Sequence, residues 1–200
     1  MTTEETVSSQ REILITGFGG QGIVLAGLIL GKAASLGDHR ETTLTQSYGP
    51  EARGGACSAQ VIISDRKIHY PYVRNPDILV CMSQGGFEKY ECLLKDGGIL
   101  ITDQDLVQPS DARGNEAFAI RATRMAEELG RKMMANIVML GFFTAVTGTI
   151  SVESARTAVK SSVPKGTEEM NLAAFNRGLD FGLATLKGRR RKAEGKKGAS

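Results

Sequence analysis

"ILITGFGGQGIVLAG", residues 13–27, sets four strand-forming residues, a knot of glycines and an apolar helical run in direct succession. The order predicts a strand over Glu12–Thr16, a tight turn, and a helix over Gly22–Leu36, the opening of a Rossmann-like unit. Gly17-Phe18-Gly19-Gly20-Gln21-Gly22 satisfies G-x-G-x-x-G in the strand-to-helix setting that the pattern requires. Lacking a Cβ, Gly17 is read as turning tightly, Gly19 as letting a phosphate approach the main chain, and Gly22 as permitting close helix–strand packing. Unpaired N–H groups at the helix start then face an anion, so Gly17, Gly19, Gly20, Gln21 and Gly22 are the candidate ligand-binding residues.

A dinucleotide is the first reading of such a turn, and it meets an obstacle. A nicotinamide site places a carboxylate at the end of the second strand for the ribose hydroxyls, whereas here that strand ends Thr45-Gln46-Ser47-Tyr48. Asp38 and Glu41 come too early, and no Walker lysine follows the glycines. Two readings stay open: a phosphate or pyrophosphate that is not part of NAD, or a turn that merely joins strand to helix.

Working outward, short β-rich runs alternate with helical periodicity, which predicts one α/β domain with a mostly parallel sheet flanked by helices. Thr42–Gln46, Ser58–Ser64, Asp77–Met82 and Ile99–Thr102 read as strands, and Phe87–Leu94 as a short helix ending at Asp96-Gly97-Gly98. The last third reads as helical. Ala122–Met133 runs into the almost wholly apolar Ala135–Gly148, which suits a buried core helix better than a partner surface. Ser151 and Thr167 open two further helices, separated by Pro164 and Gly166.

Charge divides the chain. Of a net +3, the segment 187–200 (KGRRRKAEGKKGAS) carries +6, leaving −3 for the first 186 residues. That segment reads as a disordered basic tail, residues 1–10 as a flexible start, and 11–186 as the single domain. The acidic body offers no basic surface that would extend the tail into a nucleic-acid site, so the tail reads as solvated. The first ten residues lack an apolar signal region, and no stretch reaches 18 apolar residues. Cys57, Cys81 and Cys92 fit neither a zinc nor an iron–sulfur spacing, and their odd number suits a reducing cytoplasm.

The segment 46–59, QSYGPEARGGACSA, is the least generic in the chain. Pro50 forces Gly49 out of the helical region, and Gly54-Gly55 let the backbone lie against another surface. The segment leaves the carboxyl end of the second strand, the edge where open α/β sheets bind ligands, so Ser47, Tyr48, Glu51, Arg53, Gly54 and Gly55 join the candidate site. Arg53 suits a bidentate grip on a phosphate or carboxylate, or an ion pair with Glu51 that shapes the loop.

"GFGGQGIVLAG", "QSYGPEARGGACSAQVIIS", "PDILVCMSQ", "GGILITD" and "ANIVMLGFF", in this order, resemble the gamma subunit of 2-oxoacid:ferredoxin oxidoreductases, most closely of the 2-oxoglutarate type, from about Glu12 to Gly182. The resemblance implies a Rossmann-like domain in a hetero-oligomer that converts a 2-oxoacid and coenzyme A to an acyl-CoA and carbon dioxide while reducing ferredoxin. It implies that thiamine diphosphate, Mg2+ and iron–sulfur clusters belong to partners, the alpha and beta subunits and a ferredoxin-like delta. It further implies that this chain helps to hold coenzyme A, with Gly19 to Gly22 at the phosphates and Tyr48, Glu51, Arg53 and Gly54 at the subunit interface. Neither a membrane nor a nucleic acid figures among the expected partners. The basic tail matches nothing in the family.

No catalytic set and no metal site of the chain's own is read from the sequence. His39 and His69 are read as surface or turn residues, Cys57 as packing, and Asp103 and Asp105 as solvated strand-end residues. Two rival functions remain: a stand-alone NAD- or FAD-dependent oxidoreductase, and a structural subunit without a ligand.

Overall fold

The computed structural model describes residues 10–48, 56–109 and 115–197. Six strands form one sheet, β1 (Arg11–Phe18), β2 (Glu41–Tyr48), β3 (Ala56–Ser64), β4 (Ile78–Cys81), β5 (Ile99–Asp103) and β6 (Glu116–Ile120), in the order β2-β3-β1-β4-β5-β6. β1, β4, β5 and β6 run parallel, while β3 is antiparallel to both neighbours. The helices are α1 (Ile23–Lys32), α2 (Gln84–Tyr90), α3 (Ala122–Glu128), α4 (Ala135–Thr147), α5 (Val152–Ser162) and α6 (Glu168–Lys197). This is the expected α/β architecture with a helical last third.

Side-chain alternation along the strands sorts the helices into two layers. Ile13 and Ile15 of β1, Val61 and Ile63 of β3, and Ile78 and Val80 of β4 face the larger core with α1 and α3 to α6. Leu14, Leu79, Cys81 and Leu100 face a smaller core closed by Phe87 of α2 and by Leu94. β4 is buried on both faces, which is why its sequence reads as an uninterrupted apolar run.

Helix α4 lies in the core as expected, and every residue from Ala135 to Thr144 is buried. It crosses α6 at backbone contact. A Cβ on Gly141 would collide with the carbonyl of Phe175, and one on Gly178 with the carbonyl of Val138 and, at 3.0 Å, Phe142 N. At the end of α1 the chain passes through a π-helical turn, Ala33–Gly37, to Asp38. Burial works against the Asp38 charge, yet hydrogen bonds from Ser151 and Ser154, with Arg40 nearby, outweigh it and hold the carboxyl below its ordinary range.

Three sequence expectations change. The helix expected over Ala122–Met133 stops at Glu128, because Gly130 adopts φ +90° and a 3₁₀ turn, Lys132–Met134, follows. The basic tail is not disordered over 187–197, where α6 continues. Arg189 anchors it, with its guanidinium 3.0 Å from Glu116 Oε1, donating to the Ala117 carbonyl and stacked 3.8 Å over the Phe118 ring. Strand β6 itself was not read from the sequence, since only Phe118 and Ile120 of its five residues are buried. No helix among the described residues is long and apolar enough to cross a membrane.

Candidate functional site

The glycine knot folds as a four-residue turn closed by a 3.1 Å bond from Gln21 N–H to the Phe18 carbonyl. Gly20, in its third position, has φ +96°, the left-handed value that a type II turn demands of glycine. Gly22 caps α1 at φ +71°, with no side chain capping the helix. The first turn of α1 therefore presents N–H groups without intrahelical partners beside an exposed Gly19-Gly20.

The glycines divide the labour differently from the sequence reading. Gly17 needs no unusual φ; it is glycine because a Cβ there would strike Gln21 Oε1 and lie 2.6 Å from Ile23 Cδ1. Gly22 packs against helix α4 rather than the strand, for its Cβ would collide with the Asn136 amide. Gly20 is open, with nothing within 4 Å of the added carbon.

Gln21 turns inward. Its Oε1 accepts from Phe18 N–H at 2.6 Å and its Nε2 donates to the Met82 carbonyl at 2.9 Å, so the amide clamps the turn to the end of β4. The side chain is thus occupied within the protein and serves the turn's shape. The clamp spans the gap between β1, whose chain continues towards β2, and β4, whose chain continues towards β5, the reversal point where open sheets bind ligands.

Of the remaining candidates, Ser47 and Tyr48 stand exposed on the same sheet edge, with Tyr48 paired to Cys57 and Cys57 to Gly17 in register. Tyr48 gives its hydroxyl to Gln46 Oε1 at 3.1 Å. Glu51, Arg53, Gly54 and Gly55 lie outside the described residues. The strand beside β1 is β3, antiparallel and beginning Ala56-Cys57-Ser58, and among the described residues no carboxylate stands at this end of β2 or β3. Burial pushes the Cys57 thiol up, as befits a packing residue.

The structure adds a feature the sequence reading missed. Gly20, Gly22, Leu25, Arg131, Lys132 and Met133 line one cleft of about 380 Å³. The lining is largely apolar, with Met134, Val163 and Met170 among it. Asn136 is 2 % exposed and donates Nδ2 to the Gly22 carbonyl at 3.0 Å, fastening α4 to the turn. The signal was visible as one amide inside an otherwise apolar run, and as Gly130 before Arg131.

Asp103 is fully buried, not solvated, and accepts from Thr123 N–H and hydroxyl at 2.9 and 2.6 Å and from Asp105 N–H at 3.1 Å. Asp105 pairs instead with Arg124 at 3.1 Å. Among the described residues no group of three His, Cys, Asp or Glu side chains is placed to hold a metal ion. His39 sits in a turn at φ +55°, and His69 is exposed beside Tyr70 and Tyr72.

The pyruvate ferredoxin/flavodoxin oxidoreductase family matches residues 12–181. The chain is 50% identical over 177 residues to the 2-oxoglutarate synthase subunit KorC of Methanocaldococcus jannaschii, covering 87% of this chain and 95% of that protein. It is 52% identical to the KorC subunit of Methanothermobacter thermautotrophicus, covering 88% and 96%. Among solved structures, the gamma subunit of a keto/oxoacid ferredoxin oxidoreductase from Geobacter sulfurreducens superposes with a TM-score of 0.78 at 41% identity, covering 87% of this chain and 99% of that one. The 2-oxoglutarate:ferredoxin oxidoreductase of Magnetococcus marinus, with 2-oxoglutarate, coenzyme A and succinyl-CoA bound, shares the fold at a TM-score of 0.78 and 22% identity, covering 88% of this chain and 31% of that one. Its fold, its length and its sequence together show that the chain belongs to the pyruvate ferredoxin/flavodoxin oxidoreductase family, as a subunit of the gamma type.

Proposed function

We propose that the chain is the gamma subunit of a 2-oxoglutarate:ferredoxin oxidoreductase and that it holds coenzyme A beside a thiamine diphosphate site on a partner subunit. The complex would convert 2-oxoglutarate, coenzyme A and oxidised ferredoxin to succinyl-CoA, carbon dioxide and reduced ferredoxin. Thiamine diphosphate with its Mg2+ supplies the electron sink for decarboxylation, and iron–sulfur clusters carry the electrons, all on the alpha, beta and ferredoxin-like delta partners. The choice of 2-oxoglutarate rests on the KorC relatives.

The observation that carries this reading is the open left-handed turn at Gly20, set at a helix N-terminus with no ribose-binding acid beside it among the described residues. Coenzyme A brings a pyrophosphate, which such a turn can bind through main-chain N–H groups and the helix dipole. Fixing the carrier there makes its thiol an intramolecular acceptor for the acyl group, and orientation of that kind lowers a barrier by several kcal/mol. Gly17, Gly19, Gly20 and Gly22 shape the turn, Gln21 clamps it, Ser47 and Tyr48 stand on the edge that would meet the partner, and Glu51, Arg53, Gly54 and Gly55 are proposed to take part in the same contact.

The test uses the reconstituted complex. Gly20→Val puts a branched side chain over the turn and is expected to raise the KM for coenzyme A about tenfold or more, equivalent to about 1.4 kcal/mol of binding; Arg53→Ala is expected to act in the same direction. If both variants assemble and leave that KM untouched, the subunit is structural and the ligand assignment is wrong.

A further inference from the structure

Neither the fold nor the proposed function uses the charge beyond Arg189 at the end of α6. Residues 187–200 hold seven Lys or Arg against one Glu, past the family's match, which ends at residue 181. Arg189 is spent on Glu116, the Ala117 carbonyl and the Phe118 ring, which roots the helix on strand β6. Arg190, Arg191 and Lys192 follow, all exposed and without an ion pair or hydrogen bond among the described residues. Successive residues of a helix point in directions about 100° apart, so these three cations encircle α6 instead of lining one face of it.

Charge spread in this way makes a field without a footprint. A permanently held subunit would match cations gathered on one face, and a nucleic acid would want a stripe continued over a basic body, whereas the first 186 residues sum to −3. A field suits a partner that arrives, reacts and leaves, because exposed charge speeds encounter more than it tightens the complex. Electron-transfer encounters are of this brief kind, with small interfaces. Resting on the proposed function, we infer that the cationic end of α6 steers an acidic electron-acceptor protein towards the complex. The acceptor of that reaction is oxidised ferredoxin, which must dock and depart in every turnover. The root at Arg189 holds the charges at the β6 margin of the sheet, and β4 and β5 lie between that margin and the glycine turn after β1, so steering and the proposed coenzyme A seat can be altered separately.

The experiment measures kcat/KM for a bacterial ferredoxin of net negative charge in the reconstituted complex, with methyl viologen as a small acceptor for comparison. The variants are Arg190→Gln/Arg191→Gln/Lys192→Gln and the charge reversal Arg190→Glu/Arg191→Glu, both of which keep Arg189. At about 20 mM salt the first is expected to lower kcat/KM for ferredoxin about threefold or more, and the second to lower it further. At about 0.5 M salt, where charges are screened within a few ångströms, all three complexes should converge. Methyl viologen reduction and the KM for coenzyme A should stay as they are. Equal ferredoxin kinetics at low salt, a fall that persists at high salt, or an equal fall with methyl viologen would each overturn the inference. Capture of RNA by the natural complex, lost in the variants while ferredoxin kinetics hold, would overturn it in favour of a nucleic-acid site. If the natural complex reduces neither acceptor with 2-oxoglutarate and coenzyme A, the proposed function fails and steering falls with it.

Discussion

Glycine solves opposite problems at two places in this protein. At the α4–α6 crossing, Gly141 and Gly178 are glycines so that two backbones can touch, with no room for another atom. At the turn after β1, Gly20 is glycine because of its backbone angle, and the space over it is empty. Gly22 stands between the two cases, with a left-handed φ and a packed neighbour. The lesson is that a glycine-rich motif says where the chain is unusual, while only the surroundings say whether it is unusual for packing or for access.

Alanine substitutions can sharpen that contrast. Gly178→Ala should have the largest effect, since the added carbon meets the Val138 carbonyl and neither helix can yield without moving the core. A loss of about 3 kcal/mol is expected, read as a fall in soluble yield and in the melting temperature of the complex. Gly22→Ala should cost less, about 2 kcal/mol from the strained φ and the displaced Asn136 amide, because a side chain can rotate where a backbone cannot. Loss of the Asn136 bond to the Gly22 carbonyl should also loosen the turn from α4, visible as faster amide hydrogen exchange at the start of α1. The smallest effect, and of opposite sign, belongs to Gly188→Ala in exposed α6, where nothing lies within 4 Å and the φ is ordinary. It should stabilise by about 0.5–1 kcal/mol, detectable as a small rise in melting temperature. A destabilising Gly188→Ala would mean that space around a glycine is a poor guide here.

The fold was legible where a local rule governed it. β1, the turn and α1 follow from fifteen residues, and Ser151 caps α5 as its position suggested, its hydroxyl accepting from Ser154 N–H. What escaped depended on partners distant in sequence. β6 is a strand because β5 pairs with it, and the basic tail is helical where Glu116, Ala117 and Phe118, some seventy residues earlier, receive Arg189. The site divides in the same way. The glycine motif announces the turn, but the Gln21 clamp needs Met82 and the cleft needs a helix break at Gly130, and neither is written in the motif.

The grip of Arg189 on β6 has a practical consequence. The family's match ends at residue 181, so a chain trimmed to that boundary would lose the guanidinium bound to the Ala117 carbonyl at the sheet's outer margin. A bare strand margin invites foreign strands. A chain trimmed there should therefore aggregate more readily than the full one, which light scattering of the two would show.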